Sequence, residues 1–223
     1  MATRSVHAAI AADGVTLSGT LELPPQPTGV VLFAHGSGSS RLSQRNVHVA
    51  KVLRGAAVGT LLFDLLTEDE ANDREKVFDV RLLALRLLHA TDWVESQLET
   101  EGMPVGYFGA STGAAAAIVA ATQVGQSLRA VVSRGGRPDL AMEFLPAVAV
   151  PTLLIVGSED TIVLERNRKA LERLGGVKEL AVVPGASHLF EEPGTLDQAA
   201  HHAAEWFGKY LKKDYEMADG GWQ

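Results

Sequence analysis

Two kinds of apolar pattern alternate with stretches of helical period along the chain. Around 4–10 and 15–23 apolar and polar positions partly alternate, and Asp13-Gly14 between them supplies the residues a tight two-residue hairpin turn requires. The pattern predicts a β-ribbon that ends at Pro24-Pro25-Gln26-Pro27. From Gly29 the pattern changes, because Val30-Val31-Leu32-Phe33-Ala34 is apolar without interruption, as in a strand covered on both faces. The runs 60–63, 105–108, 130–132 and 152–156 read the same way, and Leu180-Ala181-Val182-Val183 adds a further strand.

Helical spacing fills the intervals. Around 77–99 the polar positions Asp79, Arg86, His89, Asp92, Ser96 and Glu99 recur at that spacing and leave an apolar flank for a sheet. Ser43 followed by Val47, Ala50 and Leu53 reads as a helix start. Near the end, Thr195-Leu196-Asp197-Gln198 reads as a capping box, followed by an apolar stripe through Leu196, Ala199, Ala200, Ala203, Trp206, Phe207, Tyr210 and Leu211. Strands alternating with helices predict an α/β fold around a mostly parallel central sheet with helices on both faces. No internal repeat is present, and 223 residues fit one domain, taken as 1–213. Residues 214–223, with Gly220-Gly221 and no periodicity, are expected to form a flexible tail.

Composition narrows the function. Twenty Lys and Arg against 27 Asp and Glu give a net charge of −7 with no basic run, which argues against a nucleic-acid or anionic-membrane surface and for a small-molecule partner. The absence of cysteine removes disulfides, thiolate metal sites and a Cys nucleophile. No H-E-x-x-H or spaced His cluster is present, so no metal and no cofactor is expected. The start lacks the apolar stretch of a secretory signal, and no segment has 18 uninterrupted apolar residues, so the expected location is the cytoplasm.

The chemistry is carried first by residues 105–121. Val105-Gly106-Tyr107-Phe108 runs into Gly109-Ala110-Ser111-Thr112-Gly113 and then the helix-forming Ala114–Ile118. This is G-x-S-x-G between a strand and a helix, the context of a nucleophile elbow. Small neighbours permit the tight turn, and the turn puts the Ser111 hydroxyl at a helix N-terminus, where N–H groups favour developing negative charge. The bland alternative is a plain Gly/Ser turn.

A serine nucleophile needs a base, and the base needs a carboxylate to orient it. His201 and His202 fall on the polar face of the last helix, His48 and His89 lie inside helices, and His7 is in the ribbon. His188 instead follows a strand through Pro184-Gly185-Ala186-Ser187, at the carboxyl edge where open α/β sheets place ligands. For the acid, the strand 152–156 ends in Gly157-Ser158-Glu159-Asp160; Asp160 is the first choice, Glu159 the second, and a helix N-cap is the competing role for Asp160. The order Ser111, Asp160, His188 matches one hydrolase fold and neither of two other triad folds. For an oxyanion hole, Thr112 N–H is one donor, and the loop His35-Gly36-Ser37-Gly38-Ser39-Ser40 offers Ser37 as the second, with His35 shaping the loop and His35 and Gly36 placed beside the substrate. The loop lacks the Gly-Lys-Ser/Thr ending of a P-loop and the third-glycine spacing of a dinucleotide fingerprint.

On these segments the chain resembles the α/β-hydrolase superfamily, and within it the dienelactone-hydrolase-like branch without a large cap domain, over roughly residues 14–211. The resemblance implies hydrolysis of an ester or lactone through Ser111, His188 and Asp160. Dienelactone hydrolases proper use a Cys nucleophile, which this chain lacks, so the resemblance does not extend to a dienelactone substrate. The chain is also similar to a bacterial hydrolase group whose members sometimes occur beside or fused to a phosphoribosyltransferase domain. The reading is a metal-independent serine esterase. An acyltransferase or thioesterase with the same triad, and a non-catalytic small-molecule-binding protein with a hydrolase fold, are its competitors.

Two further stretches bear on substrate and surface. Ser133-Arg134-Gly135-Gly136-Arg137-Pro138 follows a strand and could put Arg134 and Arg137 at the site mouth, favouring an anionic substrate; ion pairing with Asp139 or Glu143 is the equal alternative. Arg41 and Arg45 raise the same question. Glu68-Asp69-Glu70 is expected in a solvated loop.

Overall fold

The computed structural model describes residues 2–212. The tail expected over 214–223 lies outside the described residues. The first two strands, β1 (Arg4–Ala12) and β2 (Val15–Leu23), pair antiparallel from Ala12↔Val15 outward. Their turn has Asp13 at φ 45° and Gly14 at φ 81°, the left-handed pair that lets a two-residue loop follow the twist of its strands.

The remaining strands are β3 (Val30–Ala34), β4 (Gly59–Phe63), β5 (Val105–Ala110), β6 (Leu128–Arg134), β7 (Thr152–Gly157) and β8 (Lys178–Val183). All eight form one sheet in the order β1-β2-β4-β3-β5-β6-β7-β8, parallel from β4 to β8 and antiparallel at β1–β2 and β2–β4. The uninterrupted apolar runs serve two cores. In β3, Val30, Leu32 and Ala34 join a cluster with α4 (Val80–Glu95) and α5 (Thr112–Ala121), whereas Val31 and Phe33 join one with α1 (Gln44–Gly55) and α7 (Thr195–Tyr210). On that second face Phe33 and Phe108 meet at 4.8 Å between ring centres, a contact worth about 0.5–1.5 kcal/mol beyond the area it buries. Every residue of α5 is buried, which explains its alanines: small side chains allow the helix to lie close to the strands.

Three expectations need correction. The helical pattern over 77–99 is interrupted: a short helix α3 (Arg74–Phe78) stops where the Asp79 carboxylate accepts from Arg81 N–H and Leu82 N–H and starts α4 anew. Arg86 is not on a solvated face, and Glu68-Asp69-Glu70 is helical rather than a loop, with Glu68 and Asp69 exposed as expected but Glu70 buried. The acidic residues form the helix α2 (Glu68–Ala71), closed by a Thr67–Glu70 capping box. Glu70 reaches the buried Arg86 at 3.1 Å, and Arg86 also donates to the Ala12 carbonyl. Burial pushes the Glu70 carboxyl up, but the Thr67 N–H, Arg86 and Lys76 outweigh it and leave it below its ordinary value. Thirdly, Thr195 is not the cap of α7; Gly194 at φ 78° is, and the Thr195 hydroxyl donates to the Glu192 carbonyl instead.

Strand order reverses between β3 and β5: β4 lies beyond β3 on one side, and β6 to β8 follow β5 on the other. That is the switch point at which open α/β sheets bind ligands, outside the carboxyl ends of the strands. Between β6 and β7 the chain makes only two short 3₁₀ turns, Pro138–Ala141 and Leu145–Ala147. No large cap covers the described residues.

Candidate active site

Ser111 sits between β5 and α5 with φ 51° and ψ −120°, a left-handed backbone that a side chain adopts only at a cost of about 1–3 kcal/mol. Its surroundings enforce the bend. Ser111 N–H donates to the Arg134 carbonyl (3.3 Å), and Ser111 O accepts from Ala114 N–H (3.1 Å) and Arg137 N–H (3.0 Å). The motif's glycines are required by contact: a Cβ at Gly109 would fall 2.4 Å from Ala114 Cα, and one at Gly113 would fall 2.1 Å from the Ala34 carbonyl oxygen. The turn is therefore a strained elbow and not a plain Gly/Ser loop.

Strand β7 delivers Asp160 at the start of α6 (Thr161–Arg173), and β8 delivers His188. Although Asp160 occupies the N-cap position, its side chain makes no cap hydrogen bond. Its Oδ2 lies 2.6 Å from His188 Nδ1. An ionised Asp160 accepts from Nδ1–H, which leaves Nε2 as the basic nitrogen. The Asp160 side chain is 14% exposed and that of His188 38%, so the carboxylate is sheltered while the imidazole is open to a ligand. Glu159, the second choice, turns instead to the Ser158 hydroxyl (3.0 Å). The loop carrying His188 is tied by Ser187 N–H to Glu192 Oε2 (3.0 Å), a contact that holds the Glu192 carboxyl below its ordinary value. Three of the other histidines are engaged elsewhere: His48 meets Asp197, His89 meets Asp13, and His201 contacts the Asp197 carbonyl.

The loop after β3 closes over the elbow, and a Cβ at Gly36 would stand 3.0 Å from Ser111 Cβ. The His35 ring is buried; its Nε2 accepts Leu65 N–H (3.1 Å) and its Nδ1–H donates to the Gly36 carbonyl (3.1 Å). Burial pulls its pKa below the ordinary value, only partly offset by the Gly36 carbonyl and Asp64. His35 therefore shapes the loop as a neutral ring. Ser37 N–H donates to Thr112 Oγ1 at 2.8 Å. That bond brings the two expected oxyanion donors together through a hydroxyl the sequence reading did not weigh, because the motif leaves the residue after the serine unspecified. Beside the loop, a cleft of about 920 Å³ is lined by residues including Ser37, Arg41, Arg45, Asp64 and Leu66.

The arginine pair separates. Arg137 is engaged by both oxygens of Asp139 (2.8 Å each), which raises its pKa, and Arg166 approaches the same carboxylate. Arg134 is 7% exposed and lies over the Phe190 ring, 5.7 Å from its centre. Burial, with Arg45 nearby, lowers its pKa to about 10. Arg41 pairs with Asp64 (3.0 Å), and Arg45 loosely with Glu191 (3.8 Å). Among the described residues no group of three or more His, Asp or Glu side chains is placed to hold a metal ion, and no helix is long and apolar enough to cross a membrane.

A strained elbow at the switch point of this sheet order defines an enzyme of the α/β-hydrolase class. Residues 49–212 match the model of the dienelactone hydrolase family, and the chain belongs to that family. The crystal structure of a dienelactone hydrolase from Anabaena variabilis superposes with a TM-score of 0.92 at 51% identity, covering 94% of this chain and 99% of that one. Est1E from Butyrivibrio proteoclasticus shares the fold at 16% identity, with a TM-score of 0.78 over 91% of this chain and 98% of its own. A Mycobacterium tuberculosis protein that carries a provisional phosphoribosyl transferase name is 55% identical over 208 residues, 93% of this chain but 47% of that protein. The chain thus spans about half the length of the curated relatives it matches.

Proposed function

We propose that this hydrolase cleaves a small carboxylic ester or lactone through an acyl-enzyme on Ser111, with His188 as base and Asp160 as its orienting carboxylate. The observation that carries the reading is the Asp160 side chain, which forgoes the helix it begins and meets His188 Nδ1 at 2.6 Å. His188 Nε2 takes the Ser111 proton as Oγ attacks the acyl carbon, and returns it to the leaving oxygen as the ester bond breaks. Water then attacks the acyl-enzyme, giving its proton to His188, and Ser111 recovers its hydrogen as the acid departs. Thr112 N–H, at the first turn of α5, has no intrahelical acceptor and serves the oxyanion. Ser37 N–H joins it by sharing or exchanging its bond to Thr112 Oγ1. The transferase name of the mycobacterial relative describes a protein about twice as long, of which 208 residues match this chain, and residues 49–212 of this chain match the hydrolase family model.

Ser111→Ala is expected to abolish turnover of a short p-nitrophenyl ester and labelling by a fluorophosphonate while the melting curve stays cooperative. Adduct mass mapping to Ser111 supports the reading, whereas an unchanged rate in Ser111→Ala refutes it. Added alcohol or amine separates a hydrolase from an acyltransferase by its products.

A further inference from the structure

Asn167 places a fully buried amide in the middle of α6. Its Nδ2 donates to two carbonyl oxygens, that of Val163 one turn back at 2.8 Å and that of Gly136 outside the helix at 3.0 Å. Both partners are acceptors, so only the amide's NH₂ can serve them and its orientation is fixed. Its Oδ1 is buried with no hydrogen-bond partner. An interior amide with one end unmet costs stability, and packing alone would favour a leucine at this place. What the residue contributes is its pair of donors.

The second donor reaches the nucleophile through one peptide unit. The Gly136 carbonyl and the Arg137 N–H belong to the same planar trans peptide, so they point in opposite directions. That N–H donates to Ser111 O at 3.0 Å. A rigid plate is thus held at one edge by the backbone of Ser111 and at the other by Asn167. Its surroundings leave it little play: Arg134 O accepts Ser111 N–H, Gly135 N–H donates to Ile155 O in β7 (2.7 Å), and a Cβ at Gly136 would fall 1.9 Å from Ser133 Oγ. On the other side, the bond to Val163 ties Asn167 to the first turn of α6, the helix that begins at Asp160. Arg166 also leans from α6 toward Asp139, but at 3.7 Å and partly exposed, a pair that contributes little.

We propose that Asn167 is a positioning residue, which sets the distance between Ser111 and the Asp160–His188 pair by bonding the helix of one to the peptide that holds the other. It touches no substrate, and the proposal rests on the reading of Ser111, His188 and Asp160 as the catalytic set. Without the Gly136 bond the elbow and the start of α6 are free to settle separately. A misplacement of about 1 Å between reacting groups costs about 100-fold in rate even when its cause lies away from the chemistry.

The test is a double-mutant cycle on a short p-nitrophenyl ester. Asn167→Leu removes both donors, and Asn167→Thr removes the Gly136 bond while its hydroxyl can still donate to Val163 O. Each is expected to lower kcat about 10- to 100-fold with KM changed less than about threefold, in protein that still melts cooperatively. In an Asp160→Asn background, where the carboxylate no longer orients His188, each should lower kcat by less than about threefold, because residues that act as a unit are lost together. A merely structural role would instead lower the folded fraction and multiply equally through both backgrounds. A kcat loss under about threefold in the otherwise wild-type protein, an equal factor in both backgrounds, or loss of cooperative melting in both variants would overturn the proposal. Failure of the underlying catalytic reading is a separate result, unchanged ester turnover in Ser111→Ala.

Discussion

Acid should loosen this protein through one ring. His35 Nε2 accepts Leu65 N–H while Nδ1–H donates to Gly36, so a second ring proton would face Leu65 N–H directly. The folded pKa is therefore depressed, chiefly by burial, from the ordinary 6.5. Below that value the unfolded chain binds the proton and the folded chain does not. Stability from His35 is complete above pH 6.5 and is lost as pH falls, until the folded value is reached. The slope in that window approaches about 1.4 kcal/mol per pH unit for one group. His35→Gln places an amide near the Nε2 position that can accept from Leu65 but cannot ionise. Urea unfolding of both proteins from pH ~7.5 to ~5.5 isolates the ring, because the other titrating groups are common to both. The wild-type advantage over His35→Gln should shrink below pH 6.5 by up to that slope. Parallel stability curves for the two proteins would refute the reasoning.

Two further outcomes follow from contacts described above. Asp160→Asn keeps the shape but presents an amide to His188 Nδ1, and kcat on an aryl ester should fall by about 10⁴-fold with little change in melting temperature; a loss under tenfold would remove Asp160 from the chemistry. Glu70→Ala leaves the buried Arg86 without its carboxylate and should cost about 3–5 kcal/mol in denaturant unfolding. Most of that loss should return in Glu70→Leu with Arg86→Met, and an equal deficit in both would show that the pair itself is not the cause.

The strands were legible because burial on both faces leaves no polar residue to confuse the period, as in Val30–Ala34. The elbow was legible because close contact at Gly109 and Gly113 dictates residue type at fixed positions. Asp160 and His188 stand out in the sequence by their position after strands, and their mutual contact required the sheet to bring them together. What stayed hidden was long-range pairing. Arg86 looks like one more polar helix position until Glu70 folds against it, and the cap at Gly194 depends on a left-handed backbone that Thr195-Leu196-Asp197-Gln198 does not encode. Arg134 and Arg137 are alike in sequence, and only Asp139 beside one and Phe190 beside the other tell them apart.

The bond from Ser37 N–H to Thr112 Oγ1 joins segments 75 positions apart. A bond of this kind contributes about 1 kcal/mol, enough to favour one common position for the tip of the loop and the first turn of α5. If the two N–H groups serve an oxyanion as proposed, the loop and the helix start already lie at hydrogen-bond distance from each other before an acyl group arrives, and only the Ser37 bond has to be shared or exchanged.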